Sequence, residues 1–81
     1  MKNLAAVTSG QDVLARLAAL KSAHGPSAML YVVETSTASA IDVVFNDNGE
    51  ARLGYSKDLL ATYLEKNSGH RVMDATELHA L

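Results

Sequence analysis

The chain contains no cysteine and no tryptophan, and only one proline among its 81 residues. The absence of cysteine excludes a disulfide framework and any thiolate metal site. No stretch approaches the roughly 20 consecutive apolar residues of a membrane-spanning helix. The N-terminal apolar run at residues 4–7 is too short for the core of a signal peptide. A small domain without disulfides or a secretion signal is expected in the cytoplasm, away from the membrane.

The chain also lacks any concentration of charge of one sign. Seven basic and nine acidic residues give a formal net charge of −2, and no two basic residues are adjacent. Nucleic-acid-binding proteins usually concentrate cations on one face, so the pattern disfavours a nucleic-acid partner. The alternative, a nucleic-acid-associated regulator, requires the fold to gather five dispersed cations: Arg16, Lys21, Lys57, Lys66 and Arg71.

Motifs that mark catalysis or cofactor binding are missing as well. The five glycines are dispersed, so no phosphate-binding loop is present, and no nucleophile elbow occurs. The three histidines, at positions 24, 70 and 79, do not show the short spacings that are typical of zinc sites. We therefore expect no enzyme, no cofactor and no metal. A small hydrolase or metal-site enzyme that uses His70 and His79 is the remote alternative.

Hydrophobic residues make up 48% of the chain, which predicts one folded domain over residues 1–81. Residues 1–8 are expected to form a loose arm or an extra edge strand. Apolar residues at helical spacing predict a first helix from about Gly10 to His24, with Thr8 or Ser9 as the N-cap. The Gly25-Pro26 pair should end this helix.

Two further helices are indicated by their caps and by apolar spacing. The second is predicted at about residues 57–67, with Ser56 as its N-cap. A short third helix should begin after Asp74, because Glu77 lies three residues further on and completes a capping box.

Between the first two helices, three apolar segments predict antiparallel strands at residues 28–35, 40–46 and 50–55. Residues 47–49 are expected to form a three-residue hairpin loop, and residues 70–73 an optional fourth strand. The element order is α-β-β-β-α-(β)-α. The sequence thus predicts a small α+β fold, an antiparallel three-stranded meander with helices packed on one face.

A strand register follows from pairing Asn46 with Glu50 and Thr35 with Ala40. Directly opposed residues lie on the same face of a sheet. This register predicts a core face of Leu30, Val32, Ile41, Val43, Phe45, Ala51, Leu53 and Tyr55. It places Met29, Tyr31, Val33, Asp42, Val44, Asn46, Arg52 and Gly54 on the opposite face. A slip of one residue would exchange the two faces of a strand.

The opposite face is unusually apolar for a surface that meets water. Exposed apolar patches with a polar rim often mark interaction sites, although residues 1–8 or the last helix could cover this one within the monomer. If the patch is exposed, the partner-binding residues are Met29, Tyr31, Val33, Val44, Arg52 and Asp42.

Gly54 and the alanines of the first helix are two smaller signals. Glycine inside a strand marks a bulge or a close approach of another backbone, although a strained turn into the next helix is the simpler interpretation. Ala15 and Ala19 would form a smooth strip on the first helix, most simply explained by high helix propensity.

These features together predict a non-catalytic protein-interaction module that acts as a small inhibitor or adaptor. Its partner would be another protein or a second copy, as in a homodimer. Small domains of this kind include proteins of phages and mobile elements that are directed at a host enzyme or defence complex, as anti-CRISPR proteins are. A phage-encoded inhibitor is therefore our functional expectation from sequence.

Overall fold

The computed structural model describes residues 10–81. In this part of the chain the elements are α1 (Gly10–His24), β1 (Leu30–Glu34), β2 (Ser39–Asp47), β3 (Glu50–Leu53), α2 (Leu60–Lys66), β4 (His70–Met73) and α3 (Ala75–His79). The strands form an antiparallel sheet in the order β3-β2-β1-β4. The predicted α+β fold is confirmed, and the optional fourth strand is formed and pairs with β1. The expected arm at residues 1–8, and the N-cap at Thr8 or Ser9, lie outside the described residues.

The helix predictions are confirmed for α1 and α3. α1 ends at His24 and is followed by Gly25, which has a φ of 102°. Asp74 and Glu77 form the predicted capping box at the start of α3, with the Asp74 carboxylate accepting a hydrogen bond from the Glu77 amide.

The prediction for α2 is wrong at its N-terminus. Ser56 is not its N-cap, because Lys57 adopts a φ of 67° and residues 54–58 form a loop. The helix begins after Leu59 without a side-chain cap.

The hydrophobic core lies between one face of the sheet and the helices. Its buried residues are Val13, Leu17, Leu30, Val32, Val44, Ala51, Leu53, Leu60 and Val72. Burying a valine or leucine side chain contributes roughly 1.5–3 kcal/mol. This shared core fixes the positions of α1 and α2 against the sheet.

The predicted register of the β2–β3 hairpin is wrong by one residue. Asp47 pairs with Glu50, so the loop has two residues, Asn48 and Gly49. Their φ values of 52° and 90° suit a type I′ turn, which requires a left-handed backbone at both positions. Leu53 consequently pairs with Val44 and not with Val43.

The β1–β2 register is also shifted, by one residue over Leu30–Val32 and in the opposite direction along β2. Leu30 pairs with Val44, whereas Phe45 was the predicted partner, and the register changes again between Val32 and Val33 at an irregularity in the ladder. The two faces of β2 are therefore exchanged. Ile41, predicted to be core, is 48% exposed, and Val44 is buried in the core. The face away from the core, called the outer face below, contains Tyr31, Val33, Val43, Phe45 and Arg52.

Candidate interaction surface

The structure separates the six residues that were predicted to bind a partner. Met29 is 44% exposed, and Tyr31 and Arg52 are half-buried. Val33 is fully buried, although it lies on the outer face. The placement of Val44 and Asp42 on that face is wrong, because the corrected register turns both side chains to the core side of β2. Met29 and Tyr31 remain the accessible apolar part of the predicted surface.

Met29 borders a groove where α1 crosses the ends of β1 and β2. We call this depression of about 360 Å³ the Met29 groove. It is lined by Leu14, Leu17, Ala18, Lys21, Ala28, Met29, Val44, Phe45 and Asn46. The walls are mostly apolar, with two polar side chains among them. Such a lining is typical of sites that bind apolar groups and orient them with a few polar contacts.

Lys21 holds the segment that forms one wall of the groove. Its ammonium group donates hydrogen bonds to the carbonyl oxygens of Pro26 at 2.8 Å and Ala28 at 3.0 Å. These bonds connect α1 to the start of β1. They keep the positive charge of Lys21 at the groove and fix the backbone next to Met29.

A second depression, of about 370 Å³, lies on the other side of Met29. It is lined by Leu20, His24, Ser27, Ala28, Met29, Tyr31, Asp74, Ala75 and Thr76. Because both depressions share Ala28 and Met29, the Met29 side chain forms a ridge between them. The fold thus brings Met29 and Tyr31 together at one accessible surface.

Arg52 connects the hairpin to the loop that follows it. Its Nε lies 3.0 Å from a carboxylate oxygen of Asp47, without the alignment of a hydrogen bond, and one terminal nitrogen donates to Glu50 at 3.2 Å. Its other terminal nitrogen donates to the carbonyl oxygen of Lys57 at 2.9 Å. The Lys57 ammonium lies 5.3 Å from the centre of the Phe45 ring. These contacts give Arg52 a structural role on the outer face.

Asp42 organises the loop between β3 and α2, and we call residues 54–59 the Tyr55 loop. The Asp42 carboxylate accepts hydrogen bonds from the backbone amides of Val43, Tyr55 and Ser56, at 2.8, 3.0 and 3.3 Å. The Gly54 amide donates to the Val43 carbonyl oxygen at 2.7 Å. Asp42 is therefore the structural base of this loop and not part of an apolar patch.

The Tyr55 loop presents an aromatic side chain to solvent. Tyr55 is 91% exposed, whereas the predicted register placed it in the core. Ala18 and Phe45 of the Met29 groove were likewise not predicted to lie at a binding surface. The signal that could have found Phe45 is the Asn48-Gly49 pair, since a two-residue turn sets the observed register.

Of the two histidines of the remote enzymatic alternative, His70 contacts a tyrosine and His79 does not. The Tyr63 hydroxyl lies 2.9 Å from Nδ1 of His70. Burial raises the pKa of Tyr63, and the negative charges of Asp42, Glu34 and Asp58 raise it further. His79 is exposed on α3. Within residues 10–81, no group of three or more histidine and carboxylate side chains is placed to hold a metal ion.

Arg16, one of the five candidate nucleic-acid contacts, is paired with carboxylates of α3. It lies 3.3 Å from Asp74 and also contacts Glu77. These ion pairs attach α3 to α1.

None of the helices in residues 10–81 is long and apolar enough to cross a membrane. Comparisons of the chain with protein-family models, with curated proteins and with solved structures return no match.

Proposed function

We propose that this chain is a non-catalytic protein-interaction module that receives an apolar side chain of a partner protein in the Met29 groove. The observation that supports the proposal is the groove itself. Its apolar walls belong to α1, the start of β1 and β2, so elements that share one core hold it open. A binding surface on such elements needs little ordering when the partner arrives, which favours affinity.

The side chains at the groove suit a protein partner. Methionine adapts its shape to irregular apolar surfaces. Methionine and tyrosine are both enriched at protein interfaces, and Tyr31 lies on the far side of the Met29 ridge. Transferring one leucine or phenylalanine of the partner from water into the groove would contribute roughly 1.5–3 kcal/mol. Lys21 and Asn46 would bind polar groups of the partner next to that side chain and so fix its orientation.

The role we propose for this module is that of a small inhibitor or adaptor in the cytoplasm. By occupying an apolar element of its partner, the chain would block a surface that the partner uses. A phage or mobile-element origin, with a host enzyme or defence complex as the target, is the specific form of this proposal.

The test uses a matched pair of substitutions on neighbouring positions of α1. Ala18→Glu places a carboxylate in the groove, whereas Ala19→Glu places one on an exposed position that lines neither depression. Both variants keep a residue of high helix propensity. The partner is isolated from the cells that make the protein, purified, and titrated with each variant by calorimetry.

We expect Ala18→Glu to weaken binding at least tenfold and Ala19→Glu to leave it within about twofold, as for a central and a peripheral interface position. Equal affinities of the two variants would contradict the use of the groove. Addition of the wild-type chain should lower the activity of the partner if the role is inhibition.

The alternative of a nucleic-acid-associated regulator has less support. Three of its five candidate cations, Arg16, Lys21 and Lys57, make intramolecular contacts. It predicts an affinity for nucleic acid that falls steeply with salt.

A further inference from the structure

Every backbone amide of the Tyr55 loop from residue 54 to residue 57 donates a hydrogen bond within the chain. The first three donate to the Val43 carbonyl oxygen and to the Asp42 carboxylate. The Lys57 amide donates to the Leu53 carbonyl oxygen at 2.9 Å. A loop at the surface could use water for these bonds. The continuous internal set instead fixes one backbone conformation.

Two cationic side chains hold carbonyl groups of the same loop. The Lys57 ammonium donates to the Gly54 carbonyl oxygen at 2.7 Å, and the Arg52 guanidinium donates to the Lys57 carbonyl oxygen at 2.9 Å. Lys57 has a φ of 67°, a left-handed backbone that is unfavourable for a residue with a Cβ atom. Such strain persists only where the surroundings enforce it, and it is concentrated at functional sites. The enforced shape of this loop therefore indicates a function.

The side chain that this backbone presents to solvent is Tyr55. It is 91% exposed, so its ring contributes almost nothing to the packing of its own chain. The Asp42 carboxylate and the strained Lys57 backbone nevertheless fix its position. A fixed backbone under an unused aromatic ring is the arrangement that binding surfaces use, because little freedom is lost on contact.

The chemistry of the loop suits a protein partner with a concave surface. A tyrosine ring is apolar along its body and polar at its tip, and tyrosine is enriched at protein interfaces. The two cations of the loop do not form a site for a polyanion. Arg52 is paired with Asp47 and Glu50, and the Lys57 ammonium is bonded within the loop. The loop therefore lacks the concentrated positive charge that nucleic acid requires.

The Tyr55 loop adjoins the Met29 groove at Phe45. The Phe45 side chain lines the groove, and the Lys57 ammonium lies 5.3 Å from the centre of its ring. A standard protein interface covers about 800 Å² of each partner, which is much larger than this single contact. One partner can therefore cover the groove and the loop together.

We propose that Tyr55 inserts into an apolar cleft of the partner protein that occupies the Met29 groove. The inference rests on the proposed function for the identity of this partner. The groove receives a side chain of the partner, and the Tyr55 loop delivers one to it. Two contacts of opposite shape would hold the partner in a single orientation.

The first part of the test uses the protein alone. Amide hydrogen exchange measures whether the loop is fixed before any partner binds. We expect the amides of Tyr55 and Ser56 to exchange at least tenfold more slowly than in an unstructured peptide. Asp42→Ala should abolish this protection and leave the protection of β1 unchanged. Unprotected amides at both positions of the wild type would overturn the proposal.

The second part identifies what the ring contacts. A benzophenone amino acid, which is photoreactive and aromatic, replaces residue 55 in the cells that make the protein. The control is position 65, because Glu65 is exposed on α2 and lines neither depression beside Met29. We expect a discrete crosslinked protein from position 55 and little or none from position 65. The captured protein is then purified and titrated with variants by calorimetry.

Tyr55→Ala should weaken the affinity for the captured protein at least thirtyfold, the usual effect of losing a central anchor. Tyr55→Phe should lower it by less than tenfold, because the ring remains. Glu65→Ala should stay within twofold of the wild type. The absence of a discrete product from position 55 would overturn the proposal, as would a captured protein that binds Tyr55→Ala and the wild type equally.

Failure of this inference is distinguishable from failure of the proposed function. If the partner loses affinity for Ala18→Glu but not for Tyr55→Ala, the groove acts without the loop and the inference is wrong. If the partner loses affinity for Tyr55→Ala but not for Ala18→Glu, the insertion of Tyr55 stands and the proposed use of the groove is wrong.

Discussion

At Gly54 the backbone after β3 lies directly against the side chain of Val43. A Cβ atom added at Gly54 would lie 2.7 Å from Cγ2 of Val43. Valine is branched at Cβ and has few rotamers with which to move aside. The close approach that a glycine inside a strand pattern suggests is thus present, and it serves to seat the Tyr55 loop against β2.

The substitution Gly54→Ala should lower the free energy of unfolding by about 1–3 kcal/mol, the usual cost of overpacking. Gly69→Ala is the matched control, because an added Cβ meets no atom within 4 Å there. Urea denaturation of the two variants measures the difference. In a chain that already carries Val43→Ala, the substitution Gly54→Ala should lower the free energy of unfolding by less than it does in the wild type. Equal losses of stability for Gly54→Ala and Gly69→Ala would show that Gly54 and Val43 are not in tight contact.

The raised pKa of Tyr63 makes a second prediction at the residue scale. The native state favours the neutral phenol, whereas the unfolded chain begins to lose this proton near the ordinary value of about 10. The contribution of the neutral Tyr63 phenol to the free energy of unfolding is therefore complete below about pH 10. It is lost as the pH rises through the higher pKa of the folded state. Tyr63→Phe should remove this part of the alkaline loss of stability. Unfolding free energies measured at increasing alkaline pH test it, and identical pH dependence of wild type and variant would contradict it.

At the scale of elements, α3 depends on its N-terminal cap. The helix has only five residues, and Asp74 both caps it and lies 3.3 Å from Arg16 of α1. Removing a capping carboxylate usually costs about 0.5–2 kcal/mol. Asp74→Ala should fall within this range, whereas Thr76→Ala, an exposed position in the same helix, should be close to neutral. Thermal unfolding distinguishes the two variants, and similar losses for both would argue against the cap as the stabilising feature.

The elements also show which parts of the fold can be predicted from the sequence. The bounds of α1 and the cap of α3 depend on local signals, namely apolar spacing, Gly25 and the Asp74–Glu77 pair, so they were predicted correctly. The strand register depends on the turns at both ends of β2. Treating Asp47 as a loop residue shifts the β2–β3 pairing by one, and pairing Thr35 with Ala40 shifts the β1–β2 pairing as well; together they exchange the faces of β2 and place Val44 at the surface. Tyr55 is exposed because β3 ends at Leu53, before the strand predicted from the sequence would end.

At the scale of the whole molecule, the candidate surface could be predicted only in part. Met29 is exposed and Tyr31 is half-buried, and both lie before the register error in β2. The Met29 groove joins residues of α1, β1 and β2 that are distant in sequence, and its shape depends on how the helix crosses the sheet. The Tyr55 loop depends on a carboxylate 13 or 14 residues earlier in the chain. No local pattern carries that information.

The central claim is that the Met29 groove contacts a protein partner. The most direct measurement is site-specific photocrosslinking in the cells that make the protein, with the photoreactive residue at position 18 or, as a control, at position 19. We predict a discrete crosslinked protein from position 18 and little or none from position 19. Mass spectrometry of the product identifies the partner. The same weak crosslinking from both positions would contradict the account.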